Sequence, residues 1–258
     1  MQEHLKIALI QADLFWENPK KNRKHFSAKI ENILDADIIV LPEMFSTGFT
    51  MNAKTVAETM EGKTVAWMLK KALKTGAAIM GSLIVLENDH YYNRLLFVEP
   101  AGKITTYDKR HTFTLAGENT VFSAGNEKVI IAYKGWKICP LVCYDLRFPV
   151  WARNVENYDV LIYVANWPKA RILAWDTLLK ARAIENVCYV VGVNRVGIDE
   201  TENEYSGNSA VYDVLGNAIT NIKPNKEQVE IATLDQNHIH YYRNKLKFLD
   251  DKDAFTLM

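Results

Sequence analysis

Neither sign of charge prevails in this chain of 258 residues, because 31 Lys and Arg side chains balance 31 Asp and Glu side chains. Without a net field, nucleic acid and anionic membrane surfaces are poor partners, so we expect a small molecule or a second copy of the chain as partner. Cysteine is also scarce, occurring only at Cys139, Cys143 and Cys188. Three cysteines cannot all pair internally and form no disulfide framework, which indicates a reducing, cytoplasmic setting.

Long apolar segments are missing as well. The sequence contains no run of about 18 consecutive apolar residues, which argues against a membrane-spanning helix. Residues 1–11 lack the long uncharged core and the cleavage site of a signal peptide. Because low-complexity segments and linkers are also absent, we predict that residues 1–258 form a single domain.

What the sequence does contain is an alternation of apolar strands and amphipathic helices. A strand over 5–12, a helix opened by Asn18-Pro19 that runs to about Leu34, and a strand over 37–41 form a β-α-β unit, which indicates an α/β fold. In the helix over 171–187, the spacing predicts that Leu173, Leu178, Ala181 and Ile184 face the core. The remaining predicted elements are helices over 64–75 and after Asp235, and strands over 77–86, 91–98, 103–109, 128–133, 136–143, 159–165, 188–194, 208–214, 218–222 and 228–234.

Residues 110–126 show no periodicity and predict a long loop. Loops of this length inside a compact domain are usually functional. The loop contains His111 and Glu118, both of which could take part in chemistry.

Three apolar segments end in reactive side chains, namely Glu43, Lys109 and Cys143. Ligands of layered α/β proteins bind beyond strand ends, so these three residues are candidates for one pocket. Cys143 ends the run W-K-I-C-P-L-V-C and is followed by a sharp polar turn. Locally, however, each residue has a plain alternative: a buried small hydrophobe for Cys143, a salt-bridged rim carboxylate for Glu43 and a solvated cation for Lys109.

Histidine offers a rival activating partner for the cysteine. His111 follows Lys109 closely, and a cysteine paired with a histidine is a common activated nucleophile. No motif links any of the six histidines to Cys143, so we favour a structural role for each of them. Cys139 and Cys143 have no companion cluster with zinc-ligand spacing, so we expect no metal and no other cofactor.

The segments L-P-E-M-F at Glu43, Y-D-K-R-H at Lys109 and L-V-C-Y-D-L-R-F-P at Cys143, in this order, resemble the Glu-Lys-Cys signature of the nitrilase superfamily of carbon-nitrogen hydrolases. The resemblance covers essentially the whole chain. It is closest to the ω-amidase (2-oxoglutaramate amidase) branch, through L-P-E-M-F-S-T-G-F, Y-V-A-N-W-P and K-A-R-A-I-E-N. It implies a four-layer α-β-β-α sandwich and a homodimer.

By position, the resemblance implies that Glu43 is the general base, Lys109 the cation beside the oxyanion and Cys143 the nucleophile. Glu118 corresponds to the second glutamate of the family, although its surroundings G-E-N-T-V-F depart from other branches. The Tyr144 backbone N-H is expected to bind the oxyanion.

The implied substrate is a 2-oxo acid with a terminal amide, such as 2-oxoglutaramate. Arg147 is a candidate for binding its carboxylate, with an ion pair to Asp145 or Glu43 as the alternative. Phe45, Asn166 and Trp167 are candidates for the pocket wall, and Trp167 is equally suited to the core. Nitriles, N-carbamoyl compounds and other small amides remain alternative substrates. An inactive binding module and a cysteine peptidase that uses His111 remain alternative functions.

Overall fold

A computed structural model describes residues 2–256. The helices are α1 (Pro19–Ile30), α2 (Ala53–Val56), α3 (Lys63–Thr75), α4 (Pro149–Ala152), α5 (Ile172–Asn186) and α6 (Gln236–Leu246). The strands are β1 (His4–Gln11), β2 (Ile38–Val40), β3 (Ala78–Glu87), β4 (His90–Val98), β5 (Ile104–Asp108), β6 (Ile131–Tyr133), β7 (Trp136–Val142), β8 (Val160–Ala165), β9 (Tyr189–Asn194), β10 (Val196–Ile198), β11 (Glu204–Ser206), β12 (Ala210–Tyr212) and β13 (Gln228–Asp235).

Two larger sheets carry the fold. One has six strands in the order β13-β1-β2-β3-β4-β5, and the other has five in the order β12-β9-β8-β7-β6. In each sheet the central strands are parallel, β1-β2-β3 in the first and β7-β8-β9 in the second. Antiparallel strands complete both edges of each sheet. The end of β2 in the first sheet and the end of β7 in the second sheet lie near the same site, which is described below.

The sheets pack face to face with helices outside them. Along β1, Ala8 and Ile10 belong to the apolar cluster that includes residues of α1 and α3, whereas Ile7 and Leu9 belong to the cluster shared with the second sheet and α5. This alternation follows from the two-residue period of a strand, because both faces of β1 are buried. The four-layer α-β-β-α arrangement expected from the sequence is thereby confirmed.

Helix boundaries follow the local chemistry that the sequence indicated. The Asn18 side chain caps α1 by accepting a hydrogen bond from Lys21 N at 3.1 Å, and Pro19 occupies the first turn. Gly76 ends α3 in a left-handed conformation with a φ of 69°. Helix α1 ends at Ile30, earlier than the predicted Leu34.

The face that α5 presents to the core was predicted only in part, because Leu178 packs against the core but Leu173 and Ile184 do not. Leu173 is 78% exposed and Ile184 is 49% exposed, whereas Trp175, Leu179 and Ala183 are fully buried. The helix is apolar on more than one side, so periodicity alone does not identify the buried side.

The region after β9 also departs from the prediction. The expected strand over 218–222 is reduced to a single bridge between Tyr212 and Ala218. The ribbon formed by β10 and β11 was not anticipated, because the polar sequence between Ile198 and Tyr205 reads as an irregular loop. The ribbon matters for function because it brings residues 199–205 to the cavity described below.

Candidate active site

The ends of β2, β5 and β7 bring Glu43, Lys109 and Cys143 into one buried site. Lys109 Nζ lies 2.9 Å from Glu43 Oε1, and both side chains are almost completely buried. Lys109 and Cys143 both line one cavity. The three strand ends therefore converge on one site, as expected from the sequence.

Cys143 occupies a strained turn at the end of β7. Its φ of 44° is left-handed, which is uncommon for a residue with a Cβ. The chain enters a 3₁₀ turn over Cys143–Arg147, and Asp145 Oδ2 accepts a hydrogen bond from Val142 N at 3.0 Å. This geometry turns the thiol out of the strand toward the cavity, as a nucleophile on a strand-to-helix turn requires.

Lys109 lies between two carboxylates. Its Nζ donates to Glu118 Oε1 at 3.0 Å and Oε2 at 2.8 Å, in addition to its contact with Glu43. Burial disfavours the charged amine, but the charges of Glu118 and Glu43 outweigh it and raise the pKa of Lys109 well above its ordinary value. Burial raises the pKa of Glu118, an effect that Lys109 opposes. The lysine therefore remains a fixed cation.

Glu43 is held by donors on both of its oxygens. Asn93 Nδ2 and Lys109 Nζ donate to Oε1, while Asn166 N donates to Oε2 at 2.8 Å. The Asn166 side chain also donates to the Glu43 carbonyl oxygen at 2.6 Å. We call Glu43, Asn93, Lys109 and Glu118 the lysine cluster.

The surroundings of Cys143 favour the neutral thiol. Burial, followed by the charge of Glu43, raises the pKa of Cys143 well above its ordinary value, although Lys109 acts in the opposite direction. A neutral thiol is a weak nucleophile, so a neighbouring base is needed to remove its proton.

The loop over 110–126 delivers Glu118 to the cluster. Glu118 is fully buried, and its Oε2 accepts a hydrogen bond from Phe113 N. The loop returns at Gly125, whose N donates to Lys109 O at 2.9 Å. A Cβ at position 125 would lie 2.2 Å from Asp108 O, so only glycine permits this approach.

Asp145 anchors the opposite side of the Cys143 turn. Its Oδ1 accepts hydrogen bonds from His111 N at 3.0 Å and His111 Nδ1 at 2.7 Å, and its Oδ2 accepts one from the Tyr107 hydroxyl at 2.7 Å. Trp151 Nε1 donates to the same Tyr107 oxygen. We call Tyr107, His111, Asp145 and Trp151 the aspartate cluster. His111 stacks on Phe148 with ring centroids 3.7 Å apart and does not line the cavity, so its contacts fit a structural role.

The cavity in front of Cys143 has a volume of about 480 Å³. Its wall is mainly aromatic and apolar, with two guanidinium groups, Arg147 and Arg171, at its edge. The ribbon supplies Asp199 and Tyr205, and the Tyr205 hydroxyl donates to Asp199 Oδ2 at 2.7 Å. A cavity of this size suits a small organic molecule.

Four of the five candidates for substrate binding line this cavity, namely Tyr144, Arg147, Asn166 and Trp167. The guanidinium carbon of Arg147 lies 4.9 Å from the centre of the Trp167 ring. None of the ion pairs among residues 2–256 involves Arg147, because Asp145 is bonded to His111 and Glu43 to Lys109. Trp167 also packs against Trp175, so it combines the two roles considered for it.

Phe45 is not part of the cavity wall, which corrects the expectation from sequence. Its ring is fully buried between the first sheet and the outer helices, where it contacts Phe26 and Trp67. The left-handed Met44, with a φ of 42°, redirects the chain after Glu43 and turns Phe45 into that core. Phe49 and Phe113 line the cavity instead.

Sequence reasoning did not single out Asn93 or Arg171. Asn93 adjoins Arg94 in the first half of β4, whose sequence is H-Y-Y-N-R-L-L-F-V, so no local signal distinguishes it from an ordinary polar strand residue. Arg171 precedes a helix and resembles any surface cation in sequence.

Within residues 2–256 no group of three or more His, Cys, Asp and Glu side chains is arranged to hold a metal ion. No helix in that same range is both long and apolar enough to cross a membrane.

Comparison with known proteins places this site in a family. The carbon-nitrogen hydrolase family model matches residues 6–244. Omega-amidase YafV of Yersinia enterocolitica is 44% identical over 98% of this chain and 99% of its own length. The 2-oxoglutaramate amidase of Bacillus subtilis is 34% identical over 96% of this chain and 98% of its own length.

A solved structure agrees over the full length. XC1258 of Xanthomonas campestris, a CN-hydrolase superfamily protein, superposes with a TM-score of 0.97 at 42% identity and covers 100% of both chains. With the fold, the site geometry and these relatives in agreement, the chain belongs to the carbon-nitrogen hydrolase family.

Proposed function

We propose that the protein is an ω-amidase that hydrolyses the terminal amide of a small 2-oxo acid, such as 2-oxoglutaramate, to the carboxylate and ammonia. The observation that carries the proposal is the burial of Glu43 and Lys109 against each other beside Cys143, at the base of a small cavity. The identity to proteins named omega-amidase and 2-oxoglutaramate amidase supports the choice of substrate.

In the first half of the reaction, Glu43 takes the thiol proton and Cys143 attacks the amide carbonyl carbon. The resulting oxyanion is held by Lys109 and the Tyr144 N-H, because N-H groups in the first turn of a 3₁₀ helix lack carbonyl partners within it. Collapse of the tetrahedral intermediate breaks the carbon-nitrogen bond. Glu43 returns its proton to the leaving nitrogen, so ammonia departs and a thioester remains on Cys143.

In the second half, Glu43 takes a proton from water as the oxygen attacks the thioester. Collapse of this second intermediate breaks the carbon-sulfur bond and releases the acid, and the proton returns to the thiol. Amide hydrolysis is thereby divided into two easier steps. Glu118 keeps Lys109 charged and in place throughout.

The cavity suits a substrate with a carboxylate at the far end from its amide. Arg147 has no protein carboxylate partner among the described residues and stacks on Trp167, so its guanidinium is free to bind an anion bidentately. Asn166, which donates to Glu43, and Trp167, which carries Arg147, both line the cavity wall. The stacked aromatic surface fits the short carbon chain between the two ends.

The test of substrate class is ammonia release from 2-oxoglutaramate, glutamine and a simple aliphatic nitrile under identical conditions. We expect 2-oxoglutaramate to be hydrolysed at least tenfold faster than the other two. Arg147→Met keeps the length of the side chain and removes its charge, so it should raise KM for 2-oxoglutaramate with little change in kcat. Equal rates on all three compounds would contradict the substrate assignment, and an unchanged KM in Arg147→Met would contradict the role of Arg147.

We also propose that the chain is one catalytic domain that works as a cytoplasmic homodimer. Exposed apolar side chains on and near α5, including Leu173, Ile184 and Val150, supply a surface suited to a second copy. The three unpaired, buried cysteines suit a reducing compartment. Light scattering should give twice the chain mass of 29.5 kDa, and Ile184→Glu should halve it. A monomeric wild-type protein would contradict the dimer.

A further inference from the structure

Asn93 contacts the other three members of the lysine cluster. Its side-chain Nδ2 donates to Glu43 Oε1 at 2.8 Å and to Glu118 Oε1 at 3.2 Å. Its backbone oxygen accepts a hydrogen bond from Lys109 N at 3.0 Å. One amide group therefore joins two carboxylates that come from distant parts of the chain.

The surroundings of Asn93 show that its side-chain amide is oriented to donate hydrogen bonds to the two carboxylates. The side chain is 1% exposed, and no protein group in the described part of the chain donates to its Oδ1. An unpaired buried oxygen is costly. Rotation of the amide by half a turn would relieve no cost, because it would direct Oδ1 toward two carboxylates.

We propose that Asn93 is a positioning residue that holds the Glu43 and Glu118 carboxylates in their ionised forms around Lys109, so that Glu43 is ready to take the thiol proton. The two N-H bonds of the amide stabilise negative charge without adding a positive charge that would compete with Lys109 for the substrate oxyanion. The inference rests on the proposed function only for the role of Glu43 as base.

Within the described part of the chain, four titratable groups of the site surround this amide. Glu43 approaches from the end of β2, Lys109 from the end of β5, Glu118 from the loop and Cys143 from the end of β7. The neighbouring Arg94 is bonded to Glu87 and Asp108 instead. From the cavity side, the ring of Tyr205 faces Cys143 and its hydroxyl is bonded to Asp199.

A rate profile that needs no substrate tests the proposal. Alkylation of Cys143 by iodoacetamide, located by peptide mass mapping, should rise in two steps with pH. The lower step appears when Glu43 is ionised and acts as base, and the upper step appears when the thiol itself ionises. Because both steps are measured on the same sample, the ratio of the alkylation rates in the two steps does not depend on the folded fraction.

Asn93→Ala removes both donors, so we expect the lower step to move to higher pH by roughly one unit. Asn93→Asp keeps the shape and adds a third carboxylate, so it should move the step further in the same direction. Asn154 provides a matched control, because it is a fully buried asparagine whose Nδ2 donates to the backbone of Tyr158 and Asn186, outside the lysine cluster. Asn154→Ala should lower the melting temperature and leave the lower step in place.

A uniform loss of rate at every pH in both Asn93 variants, with no movement of the lower step, would overturn the proposal. Failure of the proposed function would look different. In that case the wild-type protein would release no ammonia from 2-oxoglutaramate while the alkylation profile kept its two steps.

Discussion

The lysine cluster and the aspartate cluster lie on two sides of Cys143, and they use buried carboxylates in opposite ways. In the lysine cluster, two carboxylates share one cation and the group borders the cavity. In the aspartate cluster, one carboxylate is surrounded by four hydrogen bonds from Val142, Tyr107 and His111, and Asp145 is fully buried. In the proposed mechanism the first arrangement supplies the base, whereas the second fixes a turn.

The difference shows how the strained turn at Cys143 is supported. The left-handed turn at Cys143 costs free energy, of order 1–3 kcal/mol for such a residue. Asp145 does not line the cavity, and its hydrogen bonds offset that cost. The side chains of the cavity wall are therefore not needed to stabilise the turn. Tyr107 and His111 flank Lys109 in sequence, and the same aspartate therefore also fixes the position of the lysine.

The largest effect on activity is expected for Glu43→Gln. Loss of the base should lower ammonia release by about 10²-fold to 10⁴-fold, while the melting temperature changes by only a few degrees. Glu87→Gln is the control, since Glu87 binds Arg94 at the surface and should not affect the rate. A Glu43→Gln enzyme within tenfold of the wild type would show that Glu43 is not the base.

Asp145→Asn should produce the reverse pattern. The amide would present N-H bonds to donors, so we expect the free energy of unfolding to fall by about 2–4 kcal/mol, as measured by urea denaturation. Activity should fall less than in Glu43→Gln when it is measured on the folded fraction. Asp213→Asn, which disturbs a turn formed by Leu215 and Asn217, should destabilise the fold without changing the rate of the folded enzyme. Full stability of Asp145→Asn would refute the anchoring role.

The pH dependence of Cys143 alkylation separates the two clusters further. The raised pKa of Cys143 means that direct ionisation of the thiol, and with it the upper step, occurs above the ordinary thiol value of about 8.5. Glu43→Gln should lose the lower step and keep the upper one. His111→Ala should keep both steps, because His111 contacts Asp145 and Phe148. Loss of the lower step in His111→Ala would assign the base to the histidine.

The smallest effect is expected for the activity of His111→Ala. The variant loses one hydrogen bond to Asp145 and the stacking on Phe148, which together amount to about 1–2 kcal/mol of stability. Ammonia release should stay within about threefold of the wild type. Complete loss of activity in a folded protein would favour the cysteine peptidase alternative.

The two clusters also show which features of the fold and the site could be predicted from the sequence. The fold class and the family could be predicted because Glu43, Lys109 and Cys143 follow apolar strands and sit in motifs that resemble a known signature. That prediction is confirmed by the family match. The roles of the individual residues remain proposals, although the geometry supports them.

What escaped prediction depends on contacts between distant segments. Asn93 and Glu43 are 50 positions apart and meet only because β4 and the end of β2 belong to one folded sheet. Phe45 was misplaced because the left-handed backbone at Met44 cannot be read from its side chain. Asp145 was considered only as a partner of Arg147, whereas its hydrogen bonds go to Val142, Tyr107 and His111.

In the proposed mechanism Cys143 forms a thioester with the acyl part of the substrate. The most direct measurement is peptide mass mapping of wild-type enzyme quenched in acid during turnover of 2-oxoglutaramate. We expect an acyl group on Cys143 that hydroxylamine removes, and neither adduct nor ammonia release in Cys143→Ala. An acyl group on another residue, or continued ammonia release by Cys143→Ala, would contradict this mechanism.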